Sequence, residues 1–118
     1  MEYKTALITG AGSGIGRTVA IALAEKNYHL VLAGRNNESL QETASLLTPG
    51  ANKVSCVVTD VTDSKSVDAL FDTIAKDYGR LDLLFNNAGI GIGAPIEDLP
   101  VDDWSRVIAT NVNGAFYC

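Results

Sequence analysis

Residues 5–26, TALITGAGSGIGRTVAIALAEK, determine how the rest of the chain is interpreted. The stretch begins with a short apolar run and continues into a glycine cluster. A helical pattern follows, in which apolar residues at i, i+4, i+7 and i+8 share one face: Ile15, Val19, Ala22 and Leu23. A strand, a glycine-rich turn and a helix in immediate succession predict a phosphate-binding unit. The free N–H groups at the start of such a helix attract an anion.

The spacing of the glycines is more informative than their number. The common dinucleotide fingerprint places glycines at relative positions 1, 3 and 6, whereas Ile15 occupies the sixth position here. The pattern that fits is Thr9-Gly10-xxx-Gly14-x-Gly16. A tight turn between strand and helix that binds no ligand is the alternative explanation.

The composition restricts the class of protein. The chain has 118 residues, enough for one small domain over residues 1–118, and its 47% apolar and 19% charged content is typical of a folded globular protein. A net charge of −5 without a basic stripe argues against nucleic acid as a partner.

No apolar run approaches the ~20 residues of a membrane span, and residues 1–4 leave no room for a signal peptide. The two cysteines, Cys56 and Cys118, suggest neither a metal site nor a disulfide framework. We therefore expect a cytoplasmic protein in which Cys56 is a buried thiol.

Four strands alternate with four helices along the chain. We expect strands over residues 5–8, 29–33, 53–58 and 81–85, and helices over 14–26, 38–47, about 64–78 and from 101 onwards. The second strand is apolar at consecutive positions, so both of its faces should be buried. This alternation predicts an α/β fold, a Rossmann-type doubly wound parallel sheet with strand order 3-2-1-4. His29 starts the second strand, away from the carboxyl edge where ligands bind, and is expected to be structural.

The predicted sheet is incomplete. The fourth strand should need a fifth beside it, and the last helix reaches Cys118 without a clear capping signal. We therefore expect the chain to be the N-terminal part of a longer fold. We also expect poor solubility unless something covers the fourth strand.

Arg35 predicts which cofactor is bound. A carboxylate about 20 residues beyond the glycines normally accepts hydrogen bonds from an adenosine ribose and favours NAD. Here the second strand is followed by Arg35, and no carboxylate occurs before Glu38. Because an arginine can bind a 2′-phosphate through paired, charge-assisted bonds, the sequence favours NADP(H) over NAD(H). A solvated surface arginine is the alternative.

Asn86-Asn87-Ala88-Gly89 follows the fourth strand, and it completes a resemblance to a known family. Together with Thr9-Gly10-xxx-Gly14-x-Gly16, it resembles the classical branch of the short-chain dehydrogenase/reductase family. The resemblance implies hydride transfer between a nicotinamide cofactor and a small-molecule carbonyl or secondary alcohol. It also implies a set of cofactor-binding residues: Gly10, Gly12, Ser13, Gly14, Ile15, Gly16, Arg35, Asp60, Val61, Asn87, Ala88 and Gly89.

The resemblance assigns different parts of the cofactor to different residues. Asp60 and Val61 would contact the adenine, although Asp60 could instead only build the turn that leads into the next helix. Asn87, with the Ala88 and Gly89 that follow it, would lie on the ribose and nicotinamide side. Asn86 would be structural and would tie neighbouring strands together.

Asn111 is the candidate catalytic residue. It shares one helical face with apolar residues, so its amide is expected on a buried stripe, where it must find hydrogen-bonding partners. Those apolar residues are Trp104, Val107, Ile108 and Ala115. A core asparagine bonded to the backbone is the alternative. With Gly114 it matches the Asn-x-x-Gly of the family, and the resemblance implies a place in a catalytic tetrad and the positioning of a proton-relay water.

The remaining catalytic residues of the family, a Ser and a Tyr-x-x-x-Lys pair, are not found. None of the four tyrosines has a lysine four residues later. We therefore expect this chain alone to lack turnover.

The alternative is a short chain that binds a dinucleotide or a partner without catalysis. An epimerase-like enzyme would have a Gly-x-x-Gly-x-x-Gly turn instead. Family members commonly form dimers or tetramers, so a full-length protein could be a homo-oligomer.

Overall fold

The computed structural model of the chain describes residues 2–118. The strands are β1 (Lys4–Thr9), β2 (Tyr28–Gly34), β3 (Val54–Val58) and β4 (Leu83–Phe85). The main helices are α1 (Gly14–Ala24), α2 (Asn37–Ser45), α3 (Ser64–Asp77), α4 (Val101–Ile108) and the short α5 (Gly114–Tyr117). A 3-10 turn spans Ile96–Asp98, and a π-helical segment, Ala109–Asn113, joins α4 to α5.

The four strands form one parallel sheet in the order β3-β2-β1-β4, which confirms the predicted topology. Ile8 of β1 lies beside Leu32 of β2 on one side and Phe85 of β4 on the other. The chain therefore leaves β1 towards β2 and later returns to the opposite side of β1. Ligands of open α/β sheets bind at the carboxyl edge at such a reversal of strand order.

The sheet carries a core on each face, because successive side chains of a strand point to opposite faces. Beneath α1 and α2 the buried residues are Ala6, Ile8, Ala11, Ala20, Leu30, Leu32 and Leu40. On the other face, beneath α3, they are Leu7, Val31, Ala33, Leu70 and Ile74. Residues of β2 belong to both groups, which confirms that both faces of this strand are buried.

Capping residues mark both the starts and the ends of helices in the structure. Asn36 accepts a hydrogen bond from the Ser39 N–H at the start of α2, and Asp63 accepts one from the Lys65 N–H at the start of α3. Asn27, which follows α1, has a φ of 63°, and Gly79, which follows α3, has a φ of 74°.

The predicted apolar face of α1 is only partly correct. Val19 and Leu23 pack against the core, but Ile15 is 67% exposed and Ala22 is also exposed. The fully buried side of α1 is formed instead by Gly16 and Ala20. The helix lies too close to the sheet for a large side chain on that side, so the contact falls on small residues rather than on large apolar ones.

The last predicted helix begins at Val101, as expected, but the buried stripe expected on it is not observed. The segment is divided into α4, the π-helical turn and α5, and α4 contains no buried residue. Its apolar side is open, with Val101 78% and Trp104 51% exposed. Val107, Ile108 and Ala115 are only partly buried, and Asn111 is exposed rather than part of a buried stripe.

Three further observations concern the cysteine, possible metal ligands and the apolar character of the helices. Cys56 is only partly buried, because it lies on the edge strand β3, and this burial raises the pKa of its thiol. The part of the chain that the structure describes contains no group of three His, Cys, Asp or Glu side chains that could hold a metal ion. No helix within residues 2–118 has the length and apolar character needed to cross a membrane.

Candidate functional site

The glycine turn, residues 9–16, connects β1 to α1 at the carboxyl edge of the sheet. Gly10 and Gly14 have φ values of 64° and 54°, which side chains other than glycine rarely adopt. Gly16 is required for a different reason. A Cβ on Gly16 would lie 2.2 Å from the Gly10 carbonyl oxygen and 2.9 Å from Asn87 Nδ2. The first turn of α1 therefore packs directly on the backbone of the loop that precedes it.

The start of α1 is suited to bind an anion. Ser13 precedes the helix in an extended conformation, with φ −164° and ψ 173°, and its side chain makes no capping hydrogen bond. The first turn contains no acidic residue. Its N–H groups and the positive end of the helix dipole are therefore left available for a negatively charged group.

Thr9 joins the glycine turn to the segment after β4. Its buried hydroxyl oxygen accepts hydrogen bonds from the backbone N–H groups of Asn87 and Ala88, both at 2.9 Å. In return, Asn87 Nδ2 donates to the carbonyl oxygens of Thr9 and Gly10, at 3.3 and 3.4 Å. The side chain of Asn87 thus holds the two loops together through its Nδ2.

Asn86 has a structural contact, but not the one that was predicted. Its Nδ2 donates to the Ala115 carbonyl oxygen at 2.8 Å, so it ties the end of β4 to α5 rather than to a neighbouring strand. The reason is positional, because among residues 2–118 β4 has a strand neighbour, β1, on one side only.

Two cavities lie at this edge of the sheet, and they share Gly10, Gly34 and Arg35. The first has a volume of about 130 Å³ and is lined further by Thr59, Asp60, Val61, Thr62, Ala88, Gly89, Ile90 and Thr110. The second, of about 200 Å³, lies between the glycine turn and α2 and is lined further by Gly12, Ser13, Asn36, Ser39 and Leu40. Together they run from the start of α1, across the end of β2, to the ends of β3 and β4.

Arg35 lies where the two cavities meet. It immediately follows β2, is exposed, and makes no hydrogen bond or ion pair with any other described residue. The residues beside it in the second cavity, Asn36 and Ser39, are uncharged. A guanidinium in this position could form paired hydrogen bonds with an anionic group in either cavity.

Asp60 builds the turn that leads into α3, which was the alternative to a contact with adenine. Its Oδ1 accepts hydrogen bonds from the backbone N–H of Thr62 at 3.0 Å and from the Thr62 hydroxyl at 2.7 Å. These bonds, and to a smaller degree the charge of Arg35, hold the pKa of Asp60 below its usual value. Asp60 also lines the first cavity. Its contact with adenine therefore stays a prediction beside its role in the turn.

Asn111 lies in the π-helical segment and binds one residue of the loop after β4. Its Nδ2 donates to the Ile90 carbonyl oxygen at 2.9 Å, and its Oδ1 accepts from the Ile90 N–H at 2.8 Å. The bonding to backbone that was the alternative to a catalytic role is therefore observed. π-Helical turns occur frequently at functional sites, and the neighbouring Thr110 lines the first cavity.

The structure brings most of the predicted cofactor-binding residues to the two cavities. Those that line a cavity are Gly10, Gly12, Ser13, Arg35, Asp60, Val61, Ala88 and Gly89. Those that do not are Gly14, Ile15, Gly16 and Asn87, and neither does Asn111. Sequence reasoning missed Thr9, Arg17 and Thr43, whose side chains hold the glycine turn in place. A buried threonine carries little sequence signal, since the same residue also fits a helix face or a strand.

Comparisons with known proteins agree with this geometry. The family model of the short chain dehydrogenases matches residues 4–118. An uncharacterized oxidoreductase of Staphylococcus aureus is 43% identical over 114 residues, which make up 97% of this chain but 48% of that protein. The chain therefore spans about half the length of the curated relatives it matches.

Two solved structures carry different cofactors. A short chain dehydrogenase/reductase from Burkholderia phymatum in complex with NAD matches with a TM-score of 0.92 and 39% identity, over 98% of this chain and 41% of that one. An alcohol dehydrogenase from the archaeon Thermococcus sibiricus, complexed with 5-hydroxy-NADP, matches with a TM-score of 0.92 and 31% identity, over 98% and 50%. Both forms of the dinucleotide thus occur among proteins with this fold.

Proposed function

The chain belongs to the short-chain dehydrogenase family, and from that premise we propose that it binds NADP(H) as the dinucleotide-binding part of an oxidoreductase. The reaction would be hydride transfer between the nicotinamide and a carbonyl or secondary alcohol. The bound dinucleotide would supply the hydride when a carbonyl is reduced and accept it when an alcohol is oxidised. The residues of this chain would bind and orient it.

The residues that line the site fit such a molecule. The open N–H groups at the start of α1 suit a pyrophosphate, and the close contact at Gly16 brings this helix end up to the loop. Arg35 would bind the group on the adenosine ribose, and the first cavity, with Asp60 and Val61, would hold the adenine. Ala88 and Gly89 would support the nicotinamide side.

The observation that carries the preference for NADP(H) is the environment of Arg35. Its guanidinium has no hydrogen-bond or ion-pair partner among residues 2–118. It lies at the junction of the two cavities, and no carboxylate lines the second cavity. A 2′-phosphate would supply the missing partner. A 2′-hydroxyl would leave the guanidinium without an anion bonded to it, and in the second cavity it would find no carboxylate to accept its hydrogen bond. The carboxylate of the first cavity, Asp60, already accepts two hydrogen bonds from Thr62.

Nucleotide titrations of the purified chain test this preference. We expect NADPH to bind about tenfold or more tightly than NADH, since one charge-assisted hydrogen bond contributes about 1.5–3 kcal/mol. Arg35→Asp should reverse the order. Arg106→Asp makes the same change of charge at a helix position outside both cavities and should leave the order intact. Equal affinity of Arg35→Asp and the unaltered chain for NADPH would refute the assignment.

A second candidate is a module that binds the dinucleotide, or a partner protein, without catalysis. The observation that favours it is that the glycine turn and both cavities are formed within residues 2–118 and need no further residues. Asn111, which holds the loop at Ile90, would then have only a structural role. The two candidates differ in whether the native polypeptide from its own cells oxidises NADPH, and the intact mass of that polypeptide should be measured first.

A further inference from the structure

Arg17 contacts the glycine turn and α2 at the same time. It lies in the first turn of α1, and its Nη2 donates to the Gly12 carbonyl oxygen at 2.6 Å. Its Nε donates to the hydroxyl of Thr43, in α2, at 2.9 Å. An ion pair with Glu42, at 3.4 Å, lies on the exposed side. The planar guanidinium therefore joins the turn to the helix through donors with fixed relative directions.

Thr43 extends this connection to the preceding residue of the turn. Its side chain is fully buried, and its Oγ1 lies 2.8 Å from the Ala11 carbonyl oxygen. Two successive carbonyl groups of the turn are thus held by side chains, that of Ala11 by Thr43 of α2 and that of Gly12 by Arg17 of α1. The turn and α2 are in close contact here, because a Cβ on Gly12 would lie 2.8 Å from the Ser39 Cβ.

Fixing these carbonyls also fixes the N–H groups that follow them. In a planar trans peptide the C=O of one residue and the N–H of the next point in opposite directions. The bond to the Ala11 carbonyl therefore directs the Gly12 N–H away from Thr43, and the bond to the Gly12 carbonyl directs the Ser13 N–H away from Arg17. Gly12 and Ser13 both line the second cavity.

We propose that Arg17 and Thr43 are positioning residues that direct the N–H groups of Gly12 and Ser13 towards the phosphates of the bound nucleotide. This inference rests on the proposed function, since it assumes that a nucleotide binds here. Neither side chain lines a cavity. Their effect on binding would therefore come through the backbone they hold, and the exposed ion pair with Glu42 would contribute little.

The test compares ADP with adenosine as probes, because only ADP contains a pyrophosphate. Arg17→Gln and Thr43→Val should each weaken ADP binding about tenfold and leave adenosine binding unchanged. Arg17→Lys keeps the charge but loses the paired geometry, and should bind ADP as weakly as Arg17→Gln. Thr43→Ser keeps the hydroxyl and Glu42→Gln removes only the exposed ion pair, so both should bind ADP like the unaltered chain.

Several results would overturn the proposal. Equal losses for ADP and adenosine would indicate a general effect on the fold, and full ADP affinity in Arg17→Lys would indicate an effect of charge alone. If Arg17→Gln does not fold, as judged by circular dichroism, Arg17→Lys and the two Thr43 variants decide the question.

A measurement without ligand separates this inference from the proposed function. Amide NMR signals of Gly12 and Ser13 should shift in Thr43→Val but not in Thr43→Ser. If they shift as expected and the unaltered chain binds neither ADP nor NADPH, the proposed function fails while the positioning of the N–H groups stands. If the unaltered chain binds ADP and these signals do not move, the positioning proposal fails alone.

Discussion

Replacing Gly16 by alanine should destabilise the chain by about 2 kcal/mol. The added Cβ would lie 2.2 Å from the Gly10 carbonyl oxygen, and because that atom is backbone it cannot be avoided by a side-chain rotation. Overpacking of this kind costs about 3 kcal/mol at the upper end of the usual range. Alanine recovers about 1 kcal/mol through its higher helix propensity. The steric term is therefore larger than the propensity term, and the net change is destabilising.

Urea denaturation followed by circular dichroism measures this difference. Gly91→Ala is the matched control, because nothing lies within 4 Å of a Cβ at Gly91 and its φ is not in the left-handed region. It should change the free energy of unfolding by less than about 0.5 kcal/mol. In thermal unfolding, Gly16→Ala should lower Tm by about 8 °C, at about 4 °C for each kcal/mol. If Gly16→Ala is as stable as Gly91→Ala, the packing of α1 on the glycine turn is not as described.

Three further predictions concern other parts of the chain. Thr9→Val leaves the partly buried N–H groups of Asn87 and Ala88 without their acceptor and should cost about 3 kcal/mol. Thr9→Ser keeps the acceptor and should cost about 1 kcal/mol; equal urea midpoints of the two variants would contradict this. Burial, with a smaller effect of the Lys53 charge, lowers the pKa of His29 in the folded state. As the pH drops below about 6.5, the unfolded state therefore takes up this proton first, and the free energy of unfolding should fall. His29→Asn should remove this slope between about pH 5 and 7, and an unchanged slope would exclude His29 as its source. The 118-residue chain should not oxidise NADPH with any carbonyl substrate, because it contains no Tyr-x-x-x-Lys pair, and measurable oxidation would contradict this.

Much of the fold follows from local patterns in the sequence. Consecutive apolar residues in β2 indicated a strand buried on both faces, and the alternation of strands and helices indicated a parallel sheet. The order β3-β2-β1-β4 then followed by analogy with doubly wound folds. Turn and cap residues such as Asn27 and Asp63 lie where their chemistry requires them. These features depend on residues close in sequence or on the general handedness of crossovers, so one sequence is enough to predict them.

Contacts between distant residues could not be predicted in the same way. Ile15 fitted the apolar period of α1, yet it is exposed. The buried position is Gly16, where the backbone of the glycine turn lies too close for a side chain. The exposure of Asn111 could not be inferred either, since periodicity shows which residues share a face but not whether anything covers it. The bonds from Arg17 and Thr43 to the glycine turn span up to 32 residues along the chain and leave no periodic signal.

The two sides of β1 differ in how much of their apolar surface is covered. On the β2 side, residues of the glycine turn, α1 and α2 form a closed core, and Arg17 and Thr43 bind the turn from this side. Asn87, which follows β4, binds Thr9 and Gly10 from the other side. On the other side β4 has three residues and one strand neighbour, and Leu84 remains 38% exposed. The bonds from Arg17 and Thr43 to the glycine turn do not involve β4, whereas the bonds between Thr9 and the Asn87-Ala88 segment lie directly after it. Covering β4 would therefore stabilise the sheet and, through Asn87, one of the two sides from which the glycine turn is held.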